Sequence, residues 1–231
     1  MLVRIWDSLV GLVFPNLCEV CGTTLVRGEK YICMLCLYKM PRTRFWEKKD
    51  NVVEKLFWGK VNIERACSLF YFQKGSNYRT AIHKLKYKGK YNIGLRLGEE
   101  LGFYLANSPL YKDISMIVPI PLHPEKEKQR GYNQSEYIAR GISNIMKHPL
   151  EKRSVVRTIY TETQTKLRTI ERWKNVMAIF EVKDSYRLEG EHILLIDDVI
   201  TTGSTTEACA STILNSCKCK ISIASIGYAG H

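Results

Sequence analysis

The sequence predicts an α/β protein built on a mostly parallel sheet. Short, continuously apolar runs such as residues 193–196 are typical of strands buried on both faces, and they alternate with segments of helical periodicity. Hydrophobic residues make up 45% of the 231-residue chain, enough for one large core with an appendage. The sequence contains no internal repeats that would favour a solenoid or propeller instead.

The elements follow in order along the chain. We expect strands at 66–72, 114–123, 154–157, 192–197 and 220–228, and helices at 78–89, 91–108, 133–146 and 205–216. Residues 51–64 are interpreted as a connector. Apolar residues at helical spacing in 1–17 predict an amphipathic helix, because Arg4 and Asp7 interrupt a run too short to span a membrane. No export signal is recognisable, so we expect a cytoplasmic protein.

Four of the eight cysteines form two C-x-x-C pairs, Cys18 with Cys21 and Cys33 with Cys36. Thiolates at this spacing can approach one tetrahedral Zn²⁺ from two turns, and Gly22 lets the first turn close tightly. Tandem redox pairs are the alternative, but they are expected within a strand–helix unit. The spacing therefore predicts a small zinc-ribbon-like module with a structural zinc. We place this module, with the N-terminal helix and connector, at 1–60 and a second domain at 61–231.

The segment 193–205 reads ILLIDDVITTGST, an apolar run followed by two carboxylates and a cluster of small residues. Ligands of open parallel sheets bind at the carboxyl ends of the strands, where Asp197 and Asp198 are expected. Two adjacent carboxylates repel each other unless donors or a cation lie nearby, and ribose hydroxyls with Mg²⁺ are suitable. The next residues can surround a phosphate at a helix N-terminus. They are Thr201, Thr202, Gly203, Ser204 and Thr205.

A helix cap is the simpler explanation for part of this segment. Ser204 with Glu207 three residues later fits a capping box, which needs no ligand. Such a cap leaves the two aspartates and the other hydroxyl residues unexplained. The pattern therefore favours a site for sugar hydroxyls followed by a site for the sugar's 5′-phosphate.

The same segment resembles the fingerprint for phosphoribosyl pyrophosphate (PRPP) in type I phosphoribosyltransferases. The chain as a whole resembles one branch of them, the ComF family of competence-associated proteins. The paired C-x-x-C motifs carry this resemblance together with the blocks LKYKGKYNIG, VPIPLHPEKEKQRGYNQSEYIARGI and RTIYTETQTKLRTIERWKNVMAIF. The resemblance implies a type I phosphoribosyltransferase-like sheet with flanking helices.

The resemblance also implies what the site residues do. Asp197 and Asp198 would contact the ribosyl 2′- and 3′-hydroxyls of PRPP bound with magnesium, and residues 201–205 would hold its 5′-phosphate. A catalytic member would displace pyrophosphate from C1 of PRPP by a nucleophile, and the sequence does not identify that acceptor.

Five further residues belong to the implied site. Leu122 and His123 lie in the turn that would contact pyrophosphate, with Arg130 as an additional phosphate ligand. Gln164 and Lys166 would belong to a loop that closes over PRPP. Solvation of Arg130 at the surface, and a bridge from Gln164 within its own loop, are the alternatives.

A basic, tyrosine-rich stretch indicates a second partner. The chain carries a net charge of +12, and residues 79–96 contain no acid. Cations that contact phosphates, next to aromatic rings that stack on bases, suit single-stranded DNA. The candidate contacts are Arg79, Lys84, Lys86 and Lys88. A solvated helix face whose tyrosines pack inward is the alternative.

Three classes of function remain open at this point. The first is a PRPP-binding protein that acts in DNA uptake with single-stranded DNA and the uptake machinery. The second is an active phosphoribosyltransferase of nucleotide metabolism without a DNA role. The third is a zinc-stabilised interaction module, which would bind no small molecule.

Overall fold

The computed structural model describes residues 15–73, 75–159 and 179–230. Its strands are Arg65–Tyr71 (β1), Met116–Pro119 (β2), Val155–Arg157 (β3), Phe180–Val182 (β4), His192–Ile200 (β5) and Lys220–Tyr228 (β6). Four of them form a parallel sheet in the order β1–β6–β5–β2, while β3 and β4 pair antiparallel. The predicted α/β class with a mostly parallel sheet is confirmed.

The helices flank this sheet. They are Met34–Tyr38 (α1), Val52–Lys55 (α2), Asn77–Tyr87 (α3), Tyr91–Ala106 (α4), Pro124–Arg130 (α5), Gln134–Met146 (α6) and Ser204–Ser216 (α7). Short 3₁₀ turns lie at Phe45–Glu47 and Ser185–Arg187. Within the described residues, no helix has the length and apolar character needed to cross a membrane.

Helix α5 is absent from the sequence-based prediction, because its residues PEKEKQR show no apolar periodicity and none of them is buried. Local signals explain why it forms. Pro124 occupies the first turn, where a missing N–H costs nothing, and the His123 side chain accepts from the N–H of Glu125. Gly131 ends the helix in the left-handed conformation at φ 81°.

Strand β2 is shorter than predicted and β5 is longer. Ile120 still donates to the carbonyl of Ile196, but Pro121 has no N–H with which to continue the ladder. On the other side of β5, strand β6 keeps pairing as far as Tyr228, opposite Ile200. The sheet therefore ends earlier on the β2 side than on the β6 side.

Helices α4 and α6 approach closely because glycines lie at their crossing. A Cβ atom at Gly98 would collide with the carbonyl oxygen of Ile138, and one at Gly141 with that of Leu95. Helix α6 also packs on β2 and β5. Its N-cap, Asn133, donates to the carbonyl of Ile120 at 3.0 Å, which ties the turn after β2 to this helix pair.

The segment before β1 packs on the same hydrophobic core. Val53 and Phe57 are fully buried and belong to one cluster with the β1 side chains Leu69 and Phe70. The predicted boundary at residue 60 remains a prediction.

Candidate functional site

The two aspartates lie within β5, whereas the predicted strand 192–197 ended at Asp197 and left Asp198 beyond it. Asp197 pairs with Ser225 of β6, whereas β2 ends at Pro119, opposite Ile196. The carboxylates therefore lie beyond the last residue of β2 that pairs with β5. On the other side, β5 still pairs with β6 at this position. This is still the carboxyl end of the sheet, where ligands of such folds bind.

Asp197 is held by donors from its own segment. Its Oδ1 atom accepts from the N–H of Asp198 at 2.8 Å, and its Oδ2 atom accepts from the Thr206 hydroxyl at 3.1 Å. Burial, followed by the neighbouring charge of Asp198, raises the pKa of Asp197 from 3.8 to about 6. Asp197 therefore binds a proton more readily than an exposed carboxyl does.

Asp198 has a cationic partner from another part of the chain. The Nζ atom of Lys86 lies 2.9 Å from Asp198 Oδ1, and the two side chains are only 26% and 12% exposed. Although burial opposes it, the charge of Asp198 raises the pKa of Lys86, so the ammonium stays protonated. Lys86 was predicted as a DNA contact, but in the structure it points to the acidic pair.

The hydroxyl-rich segment leads directly into α7. Gly203 is the N-cap at φ 80°, and no side chain caps the helix. The Thr202 and Ser204 hydroxyls lie 3.2 Å apart, and residues 199–206 with Asp197 line a cavity of about 40 Å³. The first-turn N–H groups and these hydroxyls are the donors that a phosphate requires.

The capping-box alternative is not formed. Ser204 is the first helical residue and does not occupy the N-cap position. Glu207 instead forms an ion pair with Lys60 at 3.8 Å. The hydroxyl at 204 therefore remains available to a ligand.

The connector before β1 packs against the hydroxyl-rich segment through Phe57. A Cβ atom at Gly203 would lie 3.1 Å from the Phe57 ring, so glycine suits the positive φ and also avoids a tight contact with the ring. Phe57 is itself fully buried. The conformation of the hydroxyl-rich segment thus depends on packing outside the fingerprint.

The turn after β2 contains the predicted pyrophosphate contacts. Leu122 is half-buried there, and His123 caps α5. Arg130, at the end of α5, places its guanidinium 5.1 Å from the Tyr87 ring centre and close enough to Lys86 to repel its charge. Gln164 and Lys166 lie outside the described residues, as do residues 1–14 of the segment 1–17 in which an N-terminal helix was predicted.

The four cysteines of the two C-x-x-C pairs converge. Their sulfur atoms all lie within 4.8 Å of one another, and the Sγ atoms of Cys21 and Cys33 are 3.7 Å apart. Sulfurs bound to one tetrahedral Zn²⁺ at about 2.3 Å would be separated by about 3.8 Å, so the geometry fits this ion. Backbone N–H groups donate to Cys18 Sγ from Cys33 and to Cys33 Sγ from Cys36.

The thiols of this cluster differ in acidity. The Thr23 hydroxyl, 2.9 Å from Cys21 Sγ, is the main cause that lowers the pKa of Cys21 to about 6. Burial raises the pKa of Cys33 and of Cys36. A dication among them would favour the thiolate form in all four.

The predicted DNA-contacting residues separate into two groups. Lys84 and Lys86 have partners within the chain, because Lys84 donates to the carboxylate of Glu19 at 3.1 Å as well as to its carbonyl. Arg79 and Lys88 are exposed on α3 and at its C-cap. Only the second group presents its charge directly to solvent.

Three contributors to the site were missed in the sequence. Thr206 donates to Asp197, Arg157 at the end of β3 attracts the charge of Asp197, and Glu19 pairs with Lys84. Thr206 directly follows the hydroxyl cluster, so the sequence pattern could have identified it. Arg157 and Glu19 interact with partners that are distant in sequence, so no local pattern predicts their roles.

The chain is similar in sequence to several known proteins. No protein-family model matches this chain. It is 36% identical over 218 residues to the competence protein ComFC of Bacillus subtilis, an alignment covering 90% of the chain and 82% of that protein. The chain belongs to the ComF family.

A further relative is the DNA utilization protein YhgH of Escherichia coli, 28% identical over 223 residues and covering 88% and 92% of the two chains. Competence protein F of Haemophilus influenzae is 28% identical over 128 residues, 54% of this ComF chain and 56% of that protein.

Solved structures give more distant likenesses. A hypoxanthine phosphoribosyltransferase from Staphylococcus aureus matches with a TM-score of 0.33 at 13% identity, covering 60% of this chain and 63% of that one. A glutamine PRPP amidotransferase from B. subtilis matches with a TM-score of 0.39 at 15% identity, covering 60% of this chain and 30% of that one.

Proposed function

We propose that this ComF protein binds PRPP with magnesium and acts in DNA uptake together with single-stranded DNA. One observation carries the small-molecule part. A pair of carboxylates in β5 is followed by α7, a helix whose N-terminus has hydroxyl groups around it and no side-chain cap. Sugar hydroxyls are donors for the carboxylates, and a phosphate is an acceptor for the helix N-terminus, so a ribose 5-phosphate unit satisfies both ends.

The same arrangement suits displacement of pyrophosphate from C1 of the sugar. The protein would hold the ribose through Asp197 and Asp198, and Arg130 would face the negative charge that develops on the leaving oxygens. Leu122, His123, Gln164 and Lys166 remain proposed contacts of the turn and loop around the diphosphate. Magnesium, when bound, neutralises phosphate charge, and carboxylate oxygens are ligands that it accepts.

We also propose that the four-cysteine cluster holds a structural zinc. All four ligands are protein thiolates, which leaves no open coordination position for catalysis. Thiolate ligands and a PRPP substrate both fit a cytoplasmic location, where cysteines stay reduced. We retain 1–60 as the cysteine module with its connector and 61–231 as the domain that binds PRPP.

The DNA part of the proposal rests on the relatives and on the surface charge. Relatives are named for competence and for DNA utilization. Arg79 and Lys88 are exposed on a chain with net charge +12. Two tyrosines near Lys88, Tyr87 and Tyr91, are also exposed. Cations beside aromatic rings are the features that bind single strands without sequence preference.

Calorimetry of PRPP binding in the presence of magnesium tests the sugar-phosphate site. The wild-type protein should bind, and replacing both aspartates by asparagine should weaken binding by about 100-fold or more, as expected for loss of charged hydrogen-bond acceptors. Asp113→Asn, an exposed carboxylate before β2, serves as the matched control and should bind like wild type. Unchanged affinity in the double variant would falsify the proposal.

The class of activity needs a separate measurement. Pyrophosphate release from PRPP, assayed against a panel of purine, pyrimidine and amine acceptors, identifies a transferase. Binding without release for any acceptor points to a ligand-responsive role in DNA uptake. No binding of PRPP at all would favour the zinc-stabilised interaction module.

A further inference from the structure

We propose that Lys86 is a binding residue that moves its charge from Asp198 to the diphosphate of the ligand, and that Glu19 of the first cysteine turn positions it. This inference rests on the proposed function, because it assigns a role in the same site. It adds a contribution from helix α3 and a physical link from the cysteine cluster to the sugar-phosphate site.

The last turn of α3 is held by contacts with several other parts of the chain. Four consecutive residues, 84–87, each have a tertiary partner. Lys84 donates to Glu19, the carbonyl of Leu85 accepts from the Tyr132 hydroxyl, Lys86 pairs with Asp198, and the Tyr87 ring lies under the guanidinium of Arg130. A lysine at the surface samples many rotamers, whereas Lys86 is aimed at the carboxylate by its neighbours.

The charges around Lys86 suit a diphosphate. Lys86 and Arg130 come from different helices, and the guanidinium of Arg130 lies over the ring of the residue that follows Lys86. Asp198 balances the charge of Lys86, and the face of Tyr87 attracts the guanidinium of Arg130. Two cations held together in this way gain most from a ligand with closely spaced negative charges.

Ligand binding would rearrange these pairs. Asp198 must offer its oxygens to ribose hydroxyls, so a bound sugar competes with Lys86 for the carboxylate. The diphosphate supplies a replacement partner for the ammonium. Sugar binding at Asp198 and diphosphate binding at Lys86 therefore favour each other, and a ligand that lacks the diphosphate must compete with Lys86 without that compensation.

Glu19 lies between Cys18 and Cys21, the first C-x-x-C pair. Its carboxylate accepts hydrogen bonds from two lysines, one on either side of Lys86 in the sequence. Its carboxylate contacts Lys84 at 3.1 Å and Lys90 at 2.9 Å, and only 16% of its side chain is exposed. The Tyr78 hydroxyl adds a hydrogen bond of 2.6 Å to the carbonyl of Cys36. The cysteine turns thus anchor both ends of α3.

Calorimetry with two ligands tests the role of Lys86. PRPP and ribose 5-phosphate share the sugar and the 5′-phosphate, but only PRPP carries the diphosphate. Lys86→Met should weaken PRPP binding by tenfold or more and leave ribose 5-phosphate binding unchanged or tighter. Lys86→Arg should recover part of the PRPP affinity, and Lys112→Met, an exposed lysine before β2, should match wild type with both ligands.

The outcomes are distinct. Equal losses for both ligands would mean that Lys86 only supports the fold of the site, and unchanged PRPP binding would mean that it does not meet the diphosphate. Either result overturns the inference while wild-type PRPP binding upholds the proposed function. Absence of PRPP binding by the wild type overturns both.

Glu19→Gln tests the positioning role. It keeps the size of the side chain but weakens its hold on Lys84 and Lys90. We expect the same ligand pattern as in Lys86→Met at a smaller size, about threefold on PRPP, with the zinc content and the melting temperature close to wild type. Wild-type affinity for PRPP in this variant, or an equal loss for both ligands, contradicts a link between the cysteine turn and the site.

Discussion

The four-cysteine cluster and the acidic segment of β5 are two polar sites assembled in different ways. All four thiols come from residues 18–36, so the complete ligand set lies in one short stretch of sequence. Asp197 and Asp198 instead depend on charges that arrive from elsewhere, namely Lys86 on α3 and Arg157 on β3. A site with local ligands shows its geometry in its spacing, whereas a site with distant counter-charges needs the fold.

The largest effect is expected at the local site. Cys36→Ser removes one of the four ligands, and structural zinc contributes directly to the folding free energy, so we expect loss of zinc and destabilisation by several kcal/mol. Metal analysis and urea unfolding measure both. Cys219→Ser, outside the cluster, is the control and should keep zinc. Full zinc content in the Cys36 variant would contradict the assignment.

The hydroxyl-rich segment should be the next most sensitive position. Gly203→Ala introduces a Cβ atom at φ 80° and 3.1 Å from the Phe57 ring, so we expect a loss of about 2–3 kcal/mol in stability and weaker PRPP binding. Gly190→Ala has a similar φ of 77° with no neighbour within 4 Å and should cost about 1 kcal/mol. Urea unfolding of the two variants separates backbone strain from the ring contact. Equal losses would show that Phe57 does not constrain the segment.

The pH dependence of the free energy of unfolding tests how much the ionised acidic pair destabilises the folded protein. The pKa of Asp197 is raised from 3.8 to about 6, so ionising it destabilises the folded state as pH rises through this window. Asp197→Asn removes this cost and should stabilise the protein by about 1–3 kcal/mol at pH 7, with the difference vanishing below about pH 4. Urea unfolding across this range is the measurement. A gap that widens as pH falls would have the wrong sign.

The smallest effect is expected on the exposed cations. Replacing Arg79 and Lys88 by glutamine should weaken binding of a single-stranded oligonucleotide several-fold and reduce the logarithmic salt slope by about 0.7 per cation. Fluorescence anisotropy at several salt concentrations measures both quantities. The matched control replaces Lys112 and Lys218, exposed lysines that precede β2 and β6. An identical slope in both double variants would remove α3 from the DNA surface.

The sequence predicted those parts that periodicity and spacing determine. The parallel strands, the four long helices and the cysteine cluster appear within a few residues of their predicted positions. Helix α5 was missed because its start and end depend on His123 and Gly131 and not on an apolar face. The ends of β2 and β5 were misplaced because strand length depends on the neighbouring strands, which a local pattern does not contain.

The assignment of Lys86 shows the same limit at the site. A run of cations without acids indicates an exposed basic surface, and Arg79 and Lys88 are indeed exposed. The partners of Lys84 and Lys86 are Glu19 and Asp198, far away in sequence, so no pattern within α3 could identify them. The sequence shows which residues are charged, but it does not show which distant residues they pair with.

The anchoring of residues 84–87 has a consequence for how this chain can vary. One inserted residue turns an α-helix by about 100°, so an insertion within α3 would swing its final turn out of phase with every partner at once. Length changes should therefore accumulate in the exposed turn before α3, around Gly75, where a Cβ atom would meet nothing within 4 Å. The register of one short helix thereby limits which homologous sequences can be exchanged or grafted between the cysteine turns and the sheet.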